Sequence, residues 1–292
     1  MQKKTLYLHI GWSKTGTSAI QQQLDAHFKT LKSEGILYSK KLQMNDNAHH
    51  HFALAFQEAK AYPAKFTPSE VMALHDKEMK RHRCHSAIIS SELSPFYYQN
   101  DAFKKWVTQF KNVVVIATVR PQSEVLVSLF NQLIKDPQVR FKATFFQLTI
   151  NSLGRFNYFN SLNRWRNRVG DGNIKVINYQ NDVVQSFLEL FDLAVIGDTK
   201  KIINPSLPTS ALLQIQQQAL EISNPKQYAK RRDEITQECQ HQLEPPSKIW
   251  LTAGELRSID NHYMASNNRV AREFLGQPKL FTQSDYRDIY VY

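Results

Sequence analysis

Residues 6–24, LYLHIGWSKTGTSAIQQQL, decide how the rest of the chain is read. Leu6, Leu8 and Ile10 alternate as in a short buried strand, Gly11 to Thr17 form a tight loop, and a helix opens near Ser18. Ile20, Leu24, Phe28 and Leu31 extend that helix as an apolar stripe at intervals of four, four and three. Strand, glycine-bounded loop and helix start together make an anion cradle. Successive backbone N–H groups turn inward, and the helix dipole adds positive potential. Phosphate or sulfate is the natural guest. Gly11 and Gly16 have the spacing of a nucleoside-triphosphate loop, but such a loop needs lysine directly after the second glycine, then Ser or Thr for Mg²⁺. Here Thr17 occupies that place and the lysine is Lys14, inside the loop.

A second stretch, residues 113–132 (VVVIATVRPQSEVLVSLFNQ), is independent of the first. Val113 to Val119 is apolar except for Thr118, as a parallel strand covered on both faces requires. Arg120 stands at its C-terminal end, where α/β sheets bind ligands. Pro121 suits the first position of a helix whose stripe is Val125, Leu129 and Leu133, with Ser128 off that stripe.

The run Lys14-Thr15-Gly16-Thr17-Ser18 resembles the 5′-phosphosulfate loop of the sulfotransferases, which move a sulfuryl group from 3′-phosphoadenosine-5′-phosphosulfate. Arg120 and Ser128, eight residues apart, match that family's 3′-phosphate site in type, spacing and context. An arginine fork with a hydroxyl suits a dianionic phosphate. Residues 156–180, Asn204-Pro205-Ser206-Leu207 and residues 266–276 are similar, more loosely, to bacterial carbohydrate sulfotransferases. Gln180, where the family often has glutamate, and Ser18, often threonine, are departures.

The resemblance implies a P-loop-like fold and this nucleotide as co-substrate. Lys14 would stabilise the leaving 5′-phosphate. The N–H groups of Thr15, Gly16, Thr17 and Ser18 would hold that phosphate, with the Thr17 and Ser18 hydroxyls assisting. No metal is expected, because a sulfuryl group carries less charge than a phosphoryl group. The base is commonly glutamate or histidine in glycan sulfotransferases of this fold. Glu92, after the third strand, is the first choice; the competing reading is a surface residue capping the Ser94-Pro95 turn. Among His49, His50 and His51, His51 stands three before Leu54-Ala55 and fits the family best as base or acceptor contact; a solvated cluster competes. His9, inside a strand, reads as a core histidine. Trp12, Tyr97 and Tyr98 are open between sugar stacking and core packing. Arg155, Arg164, Arg166 and Arg168 are open between a solvated face and an acidic-saccharide groove.

The 292 residues carry 37 Lys+Arg against 26 Asp+Glu, a net charge of +11, with 42% hydrophobic content. That describes a globular chain whose basic excess is open between a solvated surface and an anionic ligand, acidic glycan, nucleic acid or membrane face. A carbohydrate or lipid-linked saccharide is the expected acceptor, with peripheral contact to an anionic membrane open and no nucleic acid expected. Two distant cysteines, Cys84 and Cys239, point to a reducing compartment. MQKKTLYLHI lacks the apolar length of a signal peptide, and no run approaches a membrane span. The expected location is therefore cytoplasmic.

Five short strands alternate with helices: Leu6–Ile10, Gly35–Tyr38, Ala87–Ile89, Val113–Val119 and Ile174–Tyr179. Helices are expected at Phe52–Ala61, from the Thr67-Pro68-Ser69-Glu70 capping box to about Arg83, at Asp101–Phe110, Phe141–Ser152, Asn157–Val169 and Asp182–Phe191, and over most of 210–275. The fold class is α/β, three-layered, with a central parallel sheet of about five strands. The chain reads as one domain, 1–292, with an α/β core to residue 200 and a helical extension from 201. Two rival functions remain: a nucleoside-triphosphate kinase with an altered loop, and a non-catalytic basic module for polyanions.

Overall fold

The computed structural model describes residues 4–44, 46–56, 63–93, 99–179, 182–197, 207, 209–239 and 253–282. The chain forms two compact units. One comprises residues 1–120, 158–200 and 268–280; the other comprises 121–157, 201–267 and 281–292.

The first unit is built on five parallel strands, β1 (Thr5–His9), β2 (Ile36–Tyr38), β3 (Ser86–Ser90), β4 (Asn112–Val119) and β5 (Ile174–Asn178), in the order β2-β3-β1-β4-β5. Leu6 pairs with Ala87 on one side and Val113 on the other. The chain leaves β1 toward β3 and β2, then crosses to β4 and β5, so β1 lies at the point where the winding reverses. Sheets of this kind bind ligands there, beyond the carboxyl ends of the strands.

Side chains alternate across the sheet. On one face, Tyr7, Ile88, Ile116 and Ile177 meet Ile20 and Leu24 of α1 (Thr17–Ala26), Leu31 of α2 (Phe28–Ser33) and Phe187 of α9 (Val183–Leu188). The opposite alternation turns Leu6, Leu8, Ala87, Ile89, Val115 and Ala117 the other way. There Phe103 and Trp106 of α5 (Asp101–Val107) meet Trp165 of α8 (Tyr158–Val169) and Phe52 of α3 (His50–Ala55). Phe159, Leu162 and Trp165 are buried, as the helical spacing requires. α4 (Pro68–His82) opens with the expected capping box between Thr67 and Glu70. After α12 (Ala253–Val270) the chain adds a π-turn at Ala271–Leu275, where Arg269 covers the Phe159 ring at 3.7 Å and Glu273 pairs with Arg166 at 2.7 Å.

The second unit is helical. α6 (Gln122–Lys135) packs with α7 (Phe145–Ser152) and α10 (Thr209–Glu221), and α10 packs with α11 (Pro225–Cys239). Gln122 and Asn267 exchange amide hydrogen bonds at 2.8 and 2.9 Å. Tyr228 Oη lies 2.6 Å from the Ile134 carbonyl and Tyr263 Oη donates to Leu153 O at 2.9 Å.

Several local expectations are corrected. The stripe from Ile20 to Leu31 is two helices, because His27 stops the first and bonds Ala194 O through Nε2 at 2.6 Å. Pro121 precedes α6 instead of opening it, with ψ 131. α7 begins at Phe145, not Phe141, because Thr144 and Gln147 form a capping box. The helix expected over 52–61 runs over His50–Ala55, and residues 57–62 lie outside the described residues, as do Tyr97, Tyr98, Ser94-Pro95, Gln180, Asn204-Pro205-Ser206 and Pro245-Pro246. No helix among the described residues is long and apolar enough to cross a membrane.

Candidate active site

Three neighbouring strands, β3, β1 and β4, deliver the candidate residues at their carboxyl ends. β1 runs on into the loop: Ile10 and Trp12 donate to Ile116 O and Thr118 O at 3.0 Å, and Thr118 N returns a bond to Gly11 O at 2.7 Å. Gly11 and Gly16 both take φ 86, a conformation that costs glycine little. A Cβ on Gly11 would lie 2.8 Å from Glu92 Cβ and 2.9 Å from Glu92 Cα. One on Gly16 would lie 2.7 Å from Val183 Cγ1. The loop is thus wedged between Glu92 on one flank and the β5–α9 segment on the other. Glycine is required at both ends for space as well as for φ.

The loop's own side chains divide by role. Thr15 is fully buried; its hydroxyl bonds the Trp12 carbonyl and Thr118 Oγ1, 2.6 Å away, which pins the loop to β4. Lys14 is half-buried with φ 68, a strained value for a side chain with a Cβ. Thr17 is buried and Ser18 exposed in the first turn of α1. Gly16, the N-cap of α1, has no side chain with which to cap it. A helix start without a capping side chain at that position suits an anion.

Arg120, at the end of β4, turns toward this loop. Its Nη1 donates to Lys14 O at 3.3 Å, its guanidinium lies 4.8 Å from the Tyr179 ring centre, and its own carbonyl accepts from Tyr158 Oη at 2.7 Å. Lys14 and Arg120, read separately from sequence, are therefore brought together. Ser128 is half-buried on α6, in the second unit. Trp12 is buried, edge-on to Tyr158 at 4.6 Å, so it is core and not a sugar platform. Arg164 and Arg168 are exposed, while Arg166 is tied to Glu273; the described contacts favour a surface face over a groove.

Glu92 follows β3, its side chain 19% exposed. Oε2 accepts from Gln21 Nε2 at 3.2 Å. Of the three histidines it is His50 whose Nε2 lies 3.9 Å from Glu92 Oε1. His51 is edge-on to the Phe66 ring at 5.5 Å, and burial followed by the charge of Lys65 lowers its pKa. His49 is buried against Tyr38, which pushes its pKa down to about 3. His9 is likewise pushed down to about 3 by burial; its Nδ1 bonds Ser90 Oγ at 2.8 Å. Sequence reasoning passed over His50 and Gln21. Gln21 had a signal: it is a polar residue beside Ile20, on the buried side of α1. For His50 the chain offered no signal, since three histidines in a row are locally equivalent.

Among the described residues no group of three or more His, Cys, Asp or Glu is placed to hold a metal ion. No family model matches the chain, and no curated protein does. Solved structures do. The chain is similar in fold to sulfotransferases. A sulfotransferase from Alicyclobacillus acidocaldarius matches with a TM-score of 0.43 and 15% identity over 82% of this chain and 96% of its own. Mouse sulfotransferase SULT7A1, complexed with PAP, matches at 0.37 and 15% over 89% of each chain. The sulfotransferase domain from the curacin biosynthetic pathway matches at 0.38 and 12%, over 89% of this chain and 97% of that one. The functional reading below rests on this chain's own residues.

Proposed function

We propose that the protein is a sulfotransferase that uses 3′-phosphoadenosine-5′-phosphosulfate and acts on a hydroxyl of a carbohydrate or glycolipid. The observation that carries this reading is the Gly11–Thr17 loop, with a lysine inside it, a carboxylate wedged against its first glycine and an arginine bonded to its backbone. Such a loop fits a nucleotide phosphate, while its lysine is misplaced for a triphosphate.

The nucleotide supplies a sulfuryl group activated on its 5′-phosphate. The N–H groups of Gly16, Thr17 and Ser18 bind that phosphate at the start of α1, and the Thr17 and Ser18 hydroxyls assist. Lys14 places positive charge where negative charge grows as the bond to sulfur breaks. Arg120, oriented by Tyr179 and the Lys14 carbonyl, binds the 3′-phosphate, and the spacing from Arg120 adds Ser128 to that duty. Glu92 takes the proton of the attacking hydroxyl. The buried Thr15 hydroxyl is committed to the fold and contributes through its backbone. The basic surplus of the chain supports an anionic donor and leaves room for an acidic acceptor.

Thermal stabilisation by adenosine 3′,5′-bisphosphate, compared with ADP, tests the donor. A shift specific to the 3′-phosphate is expected, lost in Arg120→Ala and weakened about tenfold to a hundredfold in affinity in Ser128→Ala, as for a lost hydrogen bond to a charged group. Mg²⁺-dependent stabilisation by ATP alone would replace this reading with a kinase. Salt-sensitive polyanion binding without turnover would replace it with a binding module.

A further inference from the structure

Glu92 is held from two sides. On one side Gln21 donates its amide both to Glu92 Oε2 and to Ser90 Oγ, each at 3.2 Å, and Ser90 Oγ in turn meets the buried His9 at 2.8 Å. On the other side is His50, buried on the first turn of α3. Its Nδ1 lies 2.8 Å from Ser91 Oγ, its Nε2 3.1 Å from Asp46 Oδ2 and 3.9 Å from Glu92 Oε1. Ser91 Oγ also accepts from Leu93 N at 3.2 Å. Nε2, facing two carboxylates, must carry a proton.

We propose that His50 is a positioning residue for Glu92: its imidazolium, seated on Ser91 and shared between Asp46 and Glu92, fixes the Glu92 carboxylate beside the Gly11 loop. This rests on the reading of Glu92 as the proton acceptor. A base must be held where the hydroxyl proton arrives while its oxygens stay open to that proton. Asp46, nearer to Nε2 and largely exposed, takes the shorter contact. Glu92 is left with a partner at ion-pair distance, not a hydrogen bond.

The charged groups that face the imidazole are Asp46, from the loop before α3, and Glu92, from the end of β3; His49 and His51 flank it on its own helix. Burial is the largest single influence and disfavours the imidazolium. The hydrogen bond to Asp46 and the charges of Glu92 and Asp46 together outweigh it, so the pKa stands above its ordinary value. The folded protein therefore keeps this proton to higher pH than a free histidine, and loses it in alkali.

Two measurements test the arrangement. The His50 imidazole is titrated by NMR in the wild-type protein, in Glu92→Gln and in Asp46→Asn. The expected result is a pKa above 6.5 that falls in both variants; a value unmoved by Glu92→Gln overturns the proposal. This readout needs no activity, so it stands even where adenosine 3′,5′-bisphosphate fails to bind and the functional reading is lost. In the transfer assay His50→Gln should lower kcat roughly tenfold, leave the donor KM unchanged and remove the alkaline limb of the pH profile. Added to Glu92→Gln it should cost nothing more. Independent, additive losses from the two substitutions would also overturn the proposal.

Discussion

The two units arrange buried polar groups differently. In the helical unit the long-range bonds are separate pairs: Gln122 with Asn267, Tyr228 with Ile134, Tyr263 with Leu153, Asp260 with the Ser123 amide. Each bond fixes one helix against another. The sheet unit has such pairs too, as His27 with Ala194 and Ser39 with Glu78, but it adds a string in which Ser90, Gln21, Glu92, His50 and Ser91 follow one another beside a loop that carries Lys14 and touches Arg120. Closed pairs serve packing, whereas a string of unlike titratable groups beside a helix start is the kind of arrangement that catalytic sites use. The difference follows from the secondary structure. Parallel strands end side by side, so adjacent strand ends pool their residues, while helices meet along their lengths and spread theirs.

The sharpest way to break this comparison is Glu92→Gln, which keeps the shape and an oxygen for Gln21. Transfer should fall by ~10²–10⁴ while the melting temperature barely moves. Near-normal turnover would make the string structural, like the pairs of the other unit.

Next in size is Gly11→Ala, set against Gly172→Ala. Both glycines have left-handed φ, 86 and 80, but a Cβ at Gly172 meets nothing within 4 Å, while at Gly11 it collides with the Glu92 backbone. The backbone strain common to both should cost about 1 kcal/mol. The collision should add roughly 1–3 kcal/mol at Gly11 alone and depress donor binding. Equal losses of melting temperature would show that Glu92 does not wedge the loop.

The smallest effect belongs to the helical unit. Burial pushes the Asp260 carboxyl up to about 6, with the Glu124 charge adding to it and the hydrogen bonds from Ser123 opposing. Its folded pKa is raised, so between about pH 4 and 6 the folded chain holds a proton that the unfolded chain has released. Stability from this group is therefore present at low pH and lost as pH rises through 6. Asp260→Asn should flatten that slope, with the variant gaining ~1–2 kcal/mol relative to wild type between pH 4 and 7 after allowance for partial exposure. Melting temperatures measured across that range decide it; parallel curves would mean that Asp260 is an ordinary surface acid.

Much of this was legible along the chain. Alternation in Leu6-Tyr7-Leu8, the glycines of the loop, the unbroken valines before Arg120 and the Thr67–Glu70 box are local patterns with local causes, and the strands and most helices follow them. Errors arose where a distant group intervened or where a local cap went unread. His27 ends α1 because a carbonyl 167 residues away receives its ring. Thr144 starts α7 late by capping it, a signal that was present in Thr144 and Gln147 and was passed over.

By itself the sequence determined the parallel α/β architecture, the glycine-bounded turn with Lys14 inside it, and Arg120 at a strand end, because each depends on residues a few places apart. The tertiary structure alone decided that β1 lies between β3 and β4, that Glu92 therefore rests on Gly11, that His50 rather than His51 meets Glu92, and that α6 and α7 join α10 and α11 in one unit. The reason is that strand order and helix packing are settled by burial over the whole chain. A side chain's neighbours across the sheet leave no mark on the residues next to it in sequence.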